Sequence, residues 1–352
     1  MSTLILPMGG LSSRFPNSKP KWMLTHPKSN TYMILETLKG INTDFFDKII
    51  FTFLQEHEDT YSFFDCFKKE LKRLGLFEKS DFCILHERTN NQPHTVYNTI
   101  VNKNLSGFIF VKDCDSYYET ILTKKDNQVC YHDLNKIKDI NAISKSYIEF
   151  DSNQYITNIV EKQIISSYFN VGGYGFACAQ TFAGAYEALN NNSTNFYLSH
   201  VIYKMMLDNH KFFAQETNNF KDWGTLEDWN KYLKTYKTVF IDLDGTLVTN
   251  SSHLQQPTIG NSKPIIENIN LIKNLYTNGR THIIITTSRP DRYRKETVME
   301  LDKFGIPFDT LLMGLPHCQR ILINDFANSN PYPSCSAVNI PRNSNELNKY
   351  LN

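Results

Sequence analysis

The sequence lacks any apolar run near the ~20 residues needed to cross a bilayer. Its start, MSTLILPMGG, has neither the basic segment nor the long apolar stretch of a signal peptide. The seven cysteines are scattered singly, without a CxxC pair or a zinc-ligand spacing. Charge excess is also missing, because 37 Lys and Arg stand against 36 Asp and Glu, so electrostatics does not favour nucleic acid as the main partner. We therefore expect a cytoplasmic protein with reduced thiols that binds neither membrane nor nucleic acid.

The length and the spacing of apolar runs predict two α/β domains. A single core rarely grows past roughly 250–300 residues, and this chain has 352. In the first part, short apolar runs alternate with helix-like stretches, which predicts a mostly parallel sheet covered on both faces. The strands are predicted at 3–6, 48–53, 82–86, 107–112 and 173–178, two of the helices at 65–74 and 197–207, and a surface loop at 190–195.

The same pattern restarts after a short joining stretch near residue 235. Strands are predicted at 238–243, 282–286 and 320–323, and helices at 264–278 and 292–304. We therefore expect two doubly wound α/β domains, at 1–235 and 236–352, closely coupled because no Gly- or Pro-rich linker separates them.

The segment LILPMGGLSSRFPNSKPKWML carries the strongest pattern of the first domain. A strand runs into two glycines, which let backbone N–H groups approach phosphate oxygens, and cations follow at Arg14 and Lys19. The pattern favours a nucleotide site, although a tight strand–helix turn with surface cations is the alternative reading. The predicted nucleotide-binding residues are Leu6, Met8, Gly9, Gly10, Arg14 and Lys19.

This segment resembles the sugar-nucleotidyltransferase family, the glucose-1-phosphate thymidylyltransferase-like enzymes, over about two-thirds of the chain. Similar motifs follow in the expected order as VKDCDSYY, IVEK, NVGGY and DWGT. The resemblance implies a Rossmann-like domain in which two aspartates hold Mg²⁺, and Asp115 fits the first position better than Asp113. The implied residues are Arg14 and Lys19 for catalysis, Asp115 and Asp222 for the metal, Gln92 for the base, and Glu161, Lys162, Asn170 and Gly172 for the acceptor.

Nucleotidyl transfer places negative charge on the α-phosphate, which a Mg²⁺ between two carboxylates would neutralise. The implied substrates are a nucleoside triphosphate and a phosphorylated sugar or polyol. The chain departs from the family's usual Gly-Thr-Arg, because Ser12 and Ser13 precede Arg14. The base and the acceptor therefore stay open.

The second domain opens with Asp242-Leu243-Asp244-Gly245-Thr246-Leu247 after a buried-strand pattern. Two aspartates so spaced at a strand end point the same way, so the first can attack phosphorus and the second can serve as acid and base. The segment resembles the haloacid dehalogenase superfamily of phosphatases, without a large cap. The resemblance implies a phosphoryl contact from Thr287 and a Mg²⁺ site of Asp242, Asp244 and Asp325. Leu315 stands where the superfamily usually has lysine.

We expect a bifunctional enzyme of surface-polysaccharide (capsule) precursor synthesis that combines nucleotidyl transfer with hydrolysis of a phosphate monoester. Three alternatives stay open. The second domain could be a catalytically silent binding or assembly module, which Leu315 favours. The chain could repair polynucleotide ends, which its balanced charge disfavours. The first domain could be a regulatory nucleotide-binding module, which the presence of Asp115 and Asp222 disfavours. The oligomeric state, homo-oligomer included, stays open.

Overall fold

A computed structural model describes residues 1–10, 12, 14–16, 18–137, 140–190, 196–250, 260, 262–327 and 332–351. The chain divides into two compact units, Met1–Trp229 and Asn230–Asn352. From residue 191 on, the surface loop predicted at 190–195 lies outside the described residues. None of the described helices is long and apolar enough to span a membrane.

The first unit is built on a sheet of nine strands, with a separate two-stranded ribbon beside it. The sheet contains β1 (Ser2–Pro7), β2 (Lys48–Leu54), β3 (Ser80–Leu85), β4 (Phe108–Lys112), β6 (Gln128–Asp133), β7 (Ser146–Phe150), β8 (Ile156–Glu161), β9 (Tyr168–Phe176) and β10 (Phe213–Glu216), and the ribbon pairs β5 (Ser116–Glu119) with β11 (Asn218–Asp222).

The order of the first four strands indicates where a ligand would bind. The strands lie in the order β3-β2-β1-β4 and pair in parallel. The chain steps from β1 to β2 to β3 in one direction and then returns to the other side of β1 with β4. Ligands of open α/β sheets bind beyond the carboxyl ends of the strands where this reversal occurs. The loops that follow β1 and β4 therefore border the expected site.

The other half of the sheet corrects the expectation of a mostly parallel arrangement. Strand β9 runs antiparallel to β4, β6 and β7, and β7 also pairs antiparallel with β8. Eight of the nine residues of β9 are buried. A strand covered on both faces is continuously apolar whichever way it runs, so the sequence pattern identifies the strand and not its direction.

Helices cover both faces of this sheet, as expected. The helices of the first unit are α1 (Met33–Leu38), α2 (Gln55–Tyr61), α3 (Phe64–Arg73), α4 (Gln92–Asn102), α5 (Ala179–Asn190) and α6 (Leu198–Leu207), while α7 (Leu226–Lys234) leads into the second unit. Alternation along β1 supplies both cores, because Ile5 packs among the residues of α4, α5 and α6 while Leu4 and Leu6 pack among those of α1 and α3.

The second unit has one parallel sheet with strands in the order β12 (Lys237–Asp242), β13 (Thr281–Thr286) and β14 (Thr310–Leu312). Helices α8 (Ile266–Thr277) and α9 (Arg294–Phe304) provide the crossovers. Val239 and Ile241 of β12 belong to the core, whereas Phe240 between them is 51% exposed. One face of this strand is therefore packed within the unit, and the other is open.

The strand predicted at 320–323 is wrong. Residues 320–323 have no regular structure, and Ile321, Leu322 and Ile323 are exposed. Without a partner for the outer edge of β12, the three described strands step in one direction only, so the expected double winding is not found in this unit. A short apolar run forms a strand only if the edge of a sheet is available to pair with it. The local sequence carries no information about whether such an edge is available.

Candidate active site

The loop after β1 reaches the carboxyl edge of the sheet with room for a ligand. Leu6 lies in the core one residue before the end of β1, and the Met8 N–H donates to the Thr52 carbonyl across 2.7 Å. Gly9 is packed, because an added Cβ would lie 3.4 Å from a Thr95 carbon. Gly10 is exposed, and an added Cβ would meet nothing within 4 Å. The backbone at Gly10 is thus accessible, and phosphate binding there remains a prediction.

Asp115 lies in the turn between β4 and β5 and gathers cations around it. Its residue is 8% exposed, the Lys21 ammonium contacts its Oδ2, and Arg14 Nη2 lies 3.6 Å from the same atom. Burial alone would raise the pKa of Asp115, but the charges of Lys21 and Arg14 hold it well below its ordinary value. Asp115 is therefore a charged carboxylate at neutral pH.

Asp222 is brought beside Asp115 by the ribbon. It ends β11 opposite Ser116 of β5, and the next residue, Trp223, donates its N–H to the Asp115 carbonyl across 2.8 Å. A Cβ on Gly224 would lie 3.0 Å from Asp222 Oδ1, 3.5 Å from Asp115 Oδ2 and 3.4 Å from Arg14 Nη1. The two carboxylates and the guanidinium therefore surround one glycine, which leaves the space between them open.

The residues fit a magnesium ion in the chemistry of their donors. Two carboxylates present oxygen atoms toward the same space, and Mg²⁺ is usually held by one or two carboxylates, with water and substrate phosphate completing its shell. The described residues contain no group of three or more His, Cys, Asp or Glu side chains arranged for a metal. A metal here would therefore rely on the phosphates of its substrate.

Lys21 was missed by the sequence reasoning, which chose Lys19. Lys19 is exposed, while the Lys21 side chain is 19% exposed and contacts Asp115. Burial opposes the charged form of Lys21, yet Asp115 more than compensates and raises the pKa of this lysine. The two lysines flank Pro20, and nothing in the local pattern KPK distinguishes them. The role of Lys19 remains a prediction.

Asp113, close to Asp115 in sequence, has polar and close backbone contacts of its own. Asp113 is partly exposed, yet the loss of solvent around its carboxyl, together with the nearby Asp115, raises its pKa. Gln92, expected to read the base, donates its Nε2 to Asp113 Oδ1 across 2.5 Å, and its role toward a base remains a prediction. Gly172 has φ +85°, and an added Cβ would lie 2.6 Å from Asp113 Cγ. Gly172 is therefore required by close approach as well as by its backbone angle.

Two of the residues expected to bind the acceptor, Glu161 and Lys162, lie where β8 ends. Glu161 Oε2 accepts hydrogen bonds from the hydroxyls of Ser146 and of Ser199, the latter across 2.7 Å. Lys162 is exposed and has φ +55°. Its ammonium donates a hydrogen bond to the Tyr197 hydroxyl, and the ammonium nitrogen lies 4.2 Å from the centre of the Tyr197 ring. The hydroxyls fix the Glu161 carboxylate, and the tyrosine holds the lysine.

Asn170 lies on β9, which β7 separates from β8, and one of its hydrogen-bond donors is unused. Its Oδ1 accepts from the Gly172 N–H across 2.7 Å, while its Nδ2 is buried without a hydrogen-bond partner among the described residues. A buried donor left unpaired costs free energy, so such a group commonly serves a ligand.

In the second unit the two aspartates after β12 have different surroundings. The Asp242 side chain is 36% exposed, and Arg320 Nη1 donates to its Oδ1 across 2.9 Å. Burial raises the pKa of Asp242, although Arg320 opposes this. Of the two carboxyls, that of Asp242 is the more accessible, and its role as a nucleophile remains a prediction.

The Asp244 carboxylate forms an ion pair with the buried Arg289. The guanidinium donates Nη2 to Asp244 Oδ1 across 2.7 Å and Nε to Oδ2 across 3.0 Å, and its Nη1 donates to Glu300 across 2.7 Å. Thr287, expected to contact a phosphoryl group, is fully buried and donates its hydroxyl to Asp244 Oδ2 across 3.0 Å. The Asp244 carboxylate therefore accepts hydrogen bonds from both the Thr287 hydroxyl and the Arg289 guanidinium.

Asp325 is not brought to this pair. It lies exposed in the irregular segment after β14, and no hydrogen bond or ion pair of the described residues joins it to Asp242 or Asp244. The prediction of a third metal carboxylate depended on the strand at 320–323, which the structure lacks. Leu315 lies beside the pair through its backbone, with its N–H 3.2 Å from the Thr287 carbonyl oxygen.

Comparison with known proteins shows the fold of the larger part of the chain. Among solved structures, the nucleoside-diphosphate-sugar pyrophosphorylase from Vibrio cholerae RC9 is similar with a TM-score of 0.54 at 15% identity, over 66% of this chain and 99% of that one. A UDP-glucose pyrophosphorylase complexed with UDP-glucose has a TM-score of 0.50 at 12% identity, over 66% of this chain and 99% of that one. No protein-family model matches the chain, and no curated protein sequence matches it.

Two-thirds of the chain therefore has a mixed α/β fold with a Rossmann-like core, shared with sugar-phosphate nucleotidyltransferases. The share is close to that of the first unit, which ends at Trp229.

Proposed function

We propose that the first unit transfers a nucleotidyl group from a nucleoside triphosphate to a phosphorylated sugar or polyol and releases pyrophosphate. One observation carries this proposal. Arg14, Asp115 and Asp222 converge around Gly224 at the carboxyl edge where β1 and β4 meet. This edge is where open α/β sheets bind nucleotides, and the fold shared with sugar-phosphate nucleotidyltransferases supports the same reaction.

The polar groups divide naturally between the two substrates. The backbone at Gly9 and Gly10, with Arg14 and Lys21, provides the positive potential that a triphosphate needs. Glu161 and Lys162 provide a hydroxyl acceptor and a cation for the second substrate. The unused Nδ2 of Asn170 offers that substrate a further donor.

Asp115 and Asp222 would hold Mg²⁺. When bound, the ion neutralises charge that develops on the transferred phosphate and on pyrophosphate. The protein's own residues orient the reactants: Arg14 and Lys21 draw the β- and γ-phosphates to one side, while Lys162 draws the acceptor phosphate to the other. Alignment of this kind is the larger part of what a protein contributes to phosphate transfer.

A pyrophosphate-release screen tests the proposal. The four nucleoside triphosphates are each combined with a panel of sugar 1-phosphates and polyol phosphates, with Mg²⁺ present. We expect release that depends on both substrates in at least one pair and that is lost in Asp115→Asn. Absence of acceptor-dependent release from every pair would refute transfer and leave a nucleotide-binding module.

For the second unit we propose Mg²⁺-dependent hydrolysis of a phosphate monoester, with Asp242 as nucleophile. The half-exposed carboxyl of Asp242 beside Arg320 supports this, because a cation at that place also attracts the phosphate. The catalytically silent module is the second candidate. The two hydrogen bonds from Arg289 to the Asp244 carboxylate favour the silent module, because a residue that acts as general acid and base must be free to exchange a proton.

Beryllofluoride, a phosphoryl mimic, separates the two candidates. An active unit should form a complex at Asp242 in the presence of Mg²⁺, hydrolyse some member of a panel of phosphate esters, and lose both properties in Asp242→Asn. A unit that does neither is the silent module. The pairing of the two activities in one chain is the basis on which we also propose a role in surface-polysaccharide (capsule) precursor synthesis.

A further inference from the structure

Lys145 occupies a position that joins the two halves of the proposed site. It immediately precedes β7, and its carbonyl accepts a hydrogen bond from the Lys162 N–H across 3.0 Å. The next residue, Ser146, pairs with Glu161 in the β7–β8 ladder. The backbone of Lys145 is thus fixed beside the residues assigned to the acceptor.

Its side chain extends to the other half. The Lys145 ammonium contacts Asp222 Oδ2, and the two side chains are only 17% and 15% exposed. Lys21 contacts Asp115 in the same manner. Each of the two carboxylates assigned to a divalent cation therefore already carries an ammonium group.

The charges of this arrangement favour an anion over a cation. Arg14, Lys21 and Lys145 supply three positive charges against the two of Asp115 and Asp222, so the ligand-free site has an excess of one positive charge. Asp222 Oδ1 already accepts the Gly224 N–H across 3.0 Å, so a divalent ion competes with Lys145 for Oδ2, and Lys145 has to leave Asp222 when the ion binds. A lysine on a flexible four-carbon stem moves readily to a new anion.

We infer that Lys145 is a phosphate-binding residue of the acceptor side that is held on Asp222 while the site is empty. The inference rests on the proposed function of the first unit. Binding of an acceptor phosphate gives the displaced ammonium a new partner close to its fixed backbone, beside Glu161 and Lys162. Substrate phosphate and divalent ion should consequently favour each other's binding.

Equilibrium binding tests this without catalysis. Mn²⁺ binding to the nucleotide-free protein is followed by electron paramagnetic resonance, and glucose 1-phosphate binding by calorimetry at saturating Mn²⁺. In Lys145→Met we expect Mn²⁺ to bind about tenfold more tightly, because Asp222 is uncovered, and glucose 1-phosphate about tenfold more weakly. Lys145→Arg should stay near wild type in both. The matched control is Lys136→Met, which removes an exposed pair with Glu216 and should change neither.

Each outcome decides. Unchanged Mn²⁺ affinity in Lys145→Met refutes the covering of Asp222. Tighter Mn²⁺ with unchanged glucose 1-phosphate affinity makes Lys145 only a counter-ion and refutes the phosphate role. If Lys145→Met does not fold, Lys145→Gln is measured instead, with the same expectations. Failure of the proposed function is seen separately, as absence of pyrophosphate release from the wild-type protein, while both binding curves can still be measured.

Discussion

Replacing Arg289 by methionine should strongly destabilise the second unit. Its side chain is 1% exposed and is shared between Asp244 and Glu300, and the Glu300 side chain is also 1% exposed. Removing the guanidinium leaves a buried carboxylate without its cation and frees the accessible edge of Asp244. Breaking a buried pair in this way typically costs about 3–5 kcal/mol.

The two units can be followed by different probes during urea unfolding. All three tryptophans, Trp22, Trp223 and Trp229, lie in the first unit, so tryptophan fluorescence reports on that unit while circular dichroism reports on both. With a urea slope of about 2 kcal/mol/M, a loss of about 4 kcal/mol lowers the midpoint of the second unit by roughly 2 M. The fluorescence transition should stay in place.

Two further variants define what would refute this reasoning. Arg294→Met removes an exposed ion pair with Asp291 and should cost less than about 1 kcal/mol. In the double variant Arg289→Met, Glu300→Leu the orphaned buried charge is gone, and much of the stability should return. A loss below about 1 kcal/mol in Arg289→Met alone, or no recovery in the double variant, would show that the network does not hold the unit together.

Three other predictions concern the first unit. Asp222→Asn should lower the rate of nucleotidyl transfer roughly 100-fold or more in steady-state assays, because a metal ligand loses its charge, while Asp208→Asn on the surface should not. Gly172→Ala should destabilise the unit in thermal unfolding, since Cβ would collide with Asp113 at a positive φ, whereas Gly184→Ala in α5 has open space and should be neutral or slightly stabilising. Burial lowers the pKa of Lys112 from 10.5 to about 8, so the folded state disfavours its charge below pH 8. The free energy of unfolding of wild type relative to Lys112→Met should therefore rise between pH 8 and 10.5, by up to about 3 kcal/mol, and a flat difference would contradict the shift.

The parallel strands β1 to β4 could be predicted from the sequence, whereas in the rest of the sheet only β9 was predicted, at 173–178, and its direction was not. Strands β1, β2 and β4 are compact apolar runs next to turn residues, and their predicted bounds agree within one or two residues. The strands β5, β7 and β8 carry polar and aromatic residues such as Tyr117 and Glu149, because one side of each faces solvent. They pair through hydrogen bonds of the backbone, which no side-chain pattern records.

In the candidate site, too, some residues could be predicted from their position in the sequence, and others only from the folded geometry. Asp115 and Asp222 could be identified because each stands at a strand end within a recognisable motif. Lys21 and Lys145 could not, because a lysine's place is decided by which carboxylate its long side chain reaches. Arg289 was missed for a related reason: its sequence neighbours mark a strand end, while its partner Glu300 lies one and a half turns into the body of α9 and is seen only in the fold.

The two carboxyls after β12 differ in whether the arginine paired with them is exposed or buried. Asp242 is paired with Arg320, which is 42% exposed and belongs to the irregular segment after β14. Asp244 is paired with Arg289, which is enclosed by Glu300 and Thr297. An exposed arginine can turn to an incoming phosphate at little cost, whereas a buried one would leave Glu300 uncompensated. Approach of a phosphate to Asp242 would therefore require that Arg320 move, while proton transfer by Asp244 would require a rearrangement of the unit's own core.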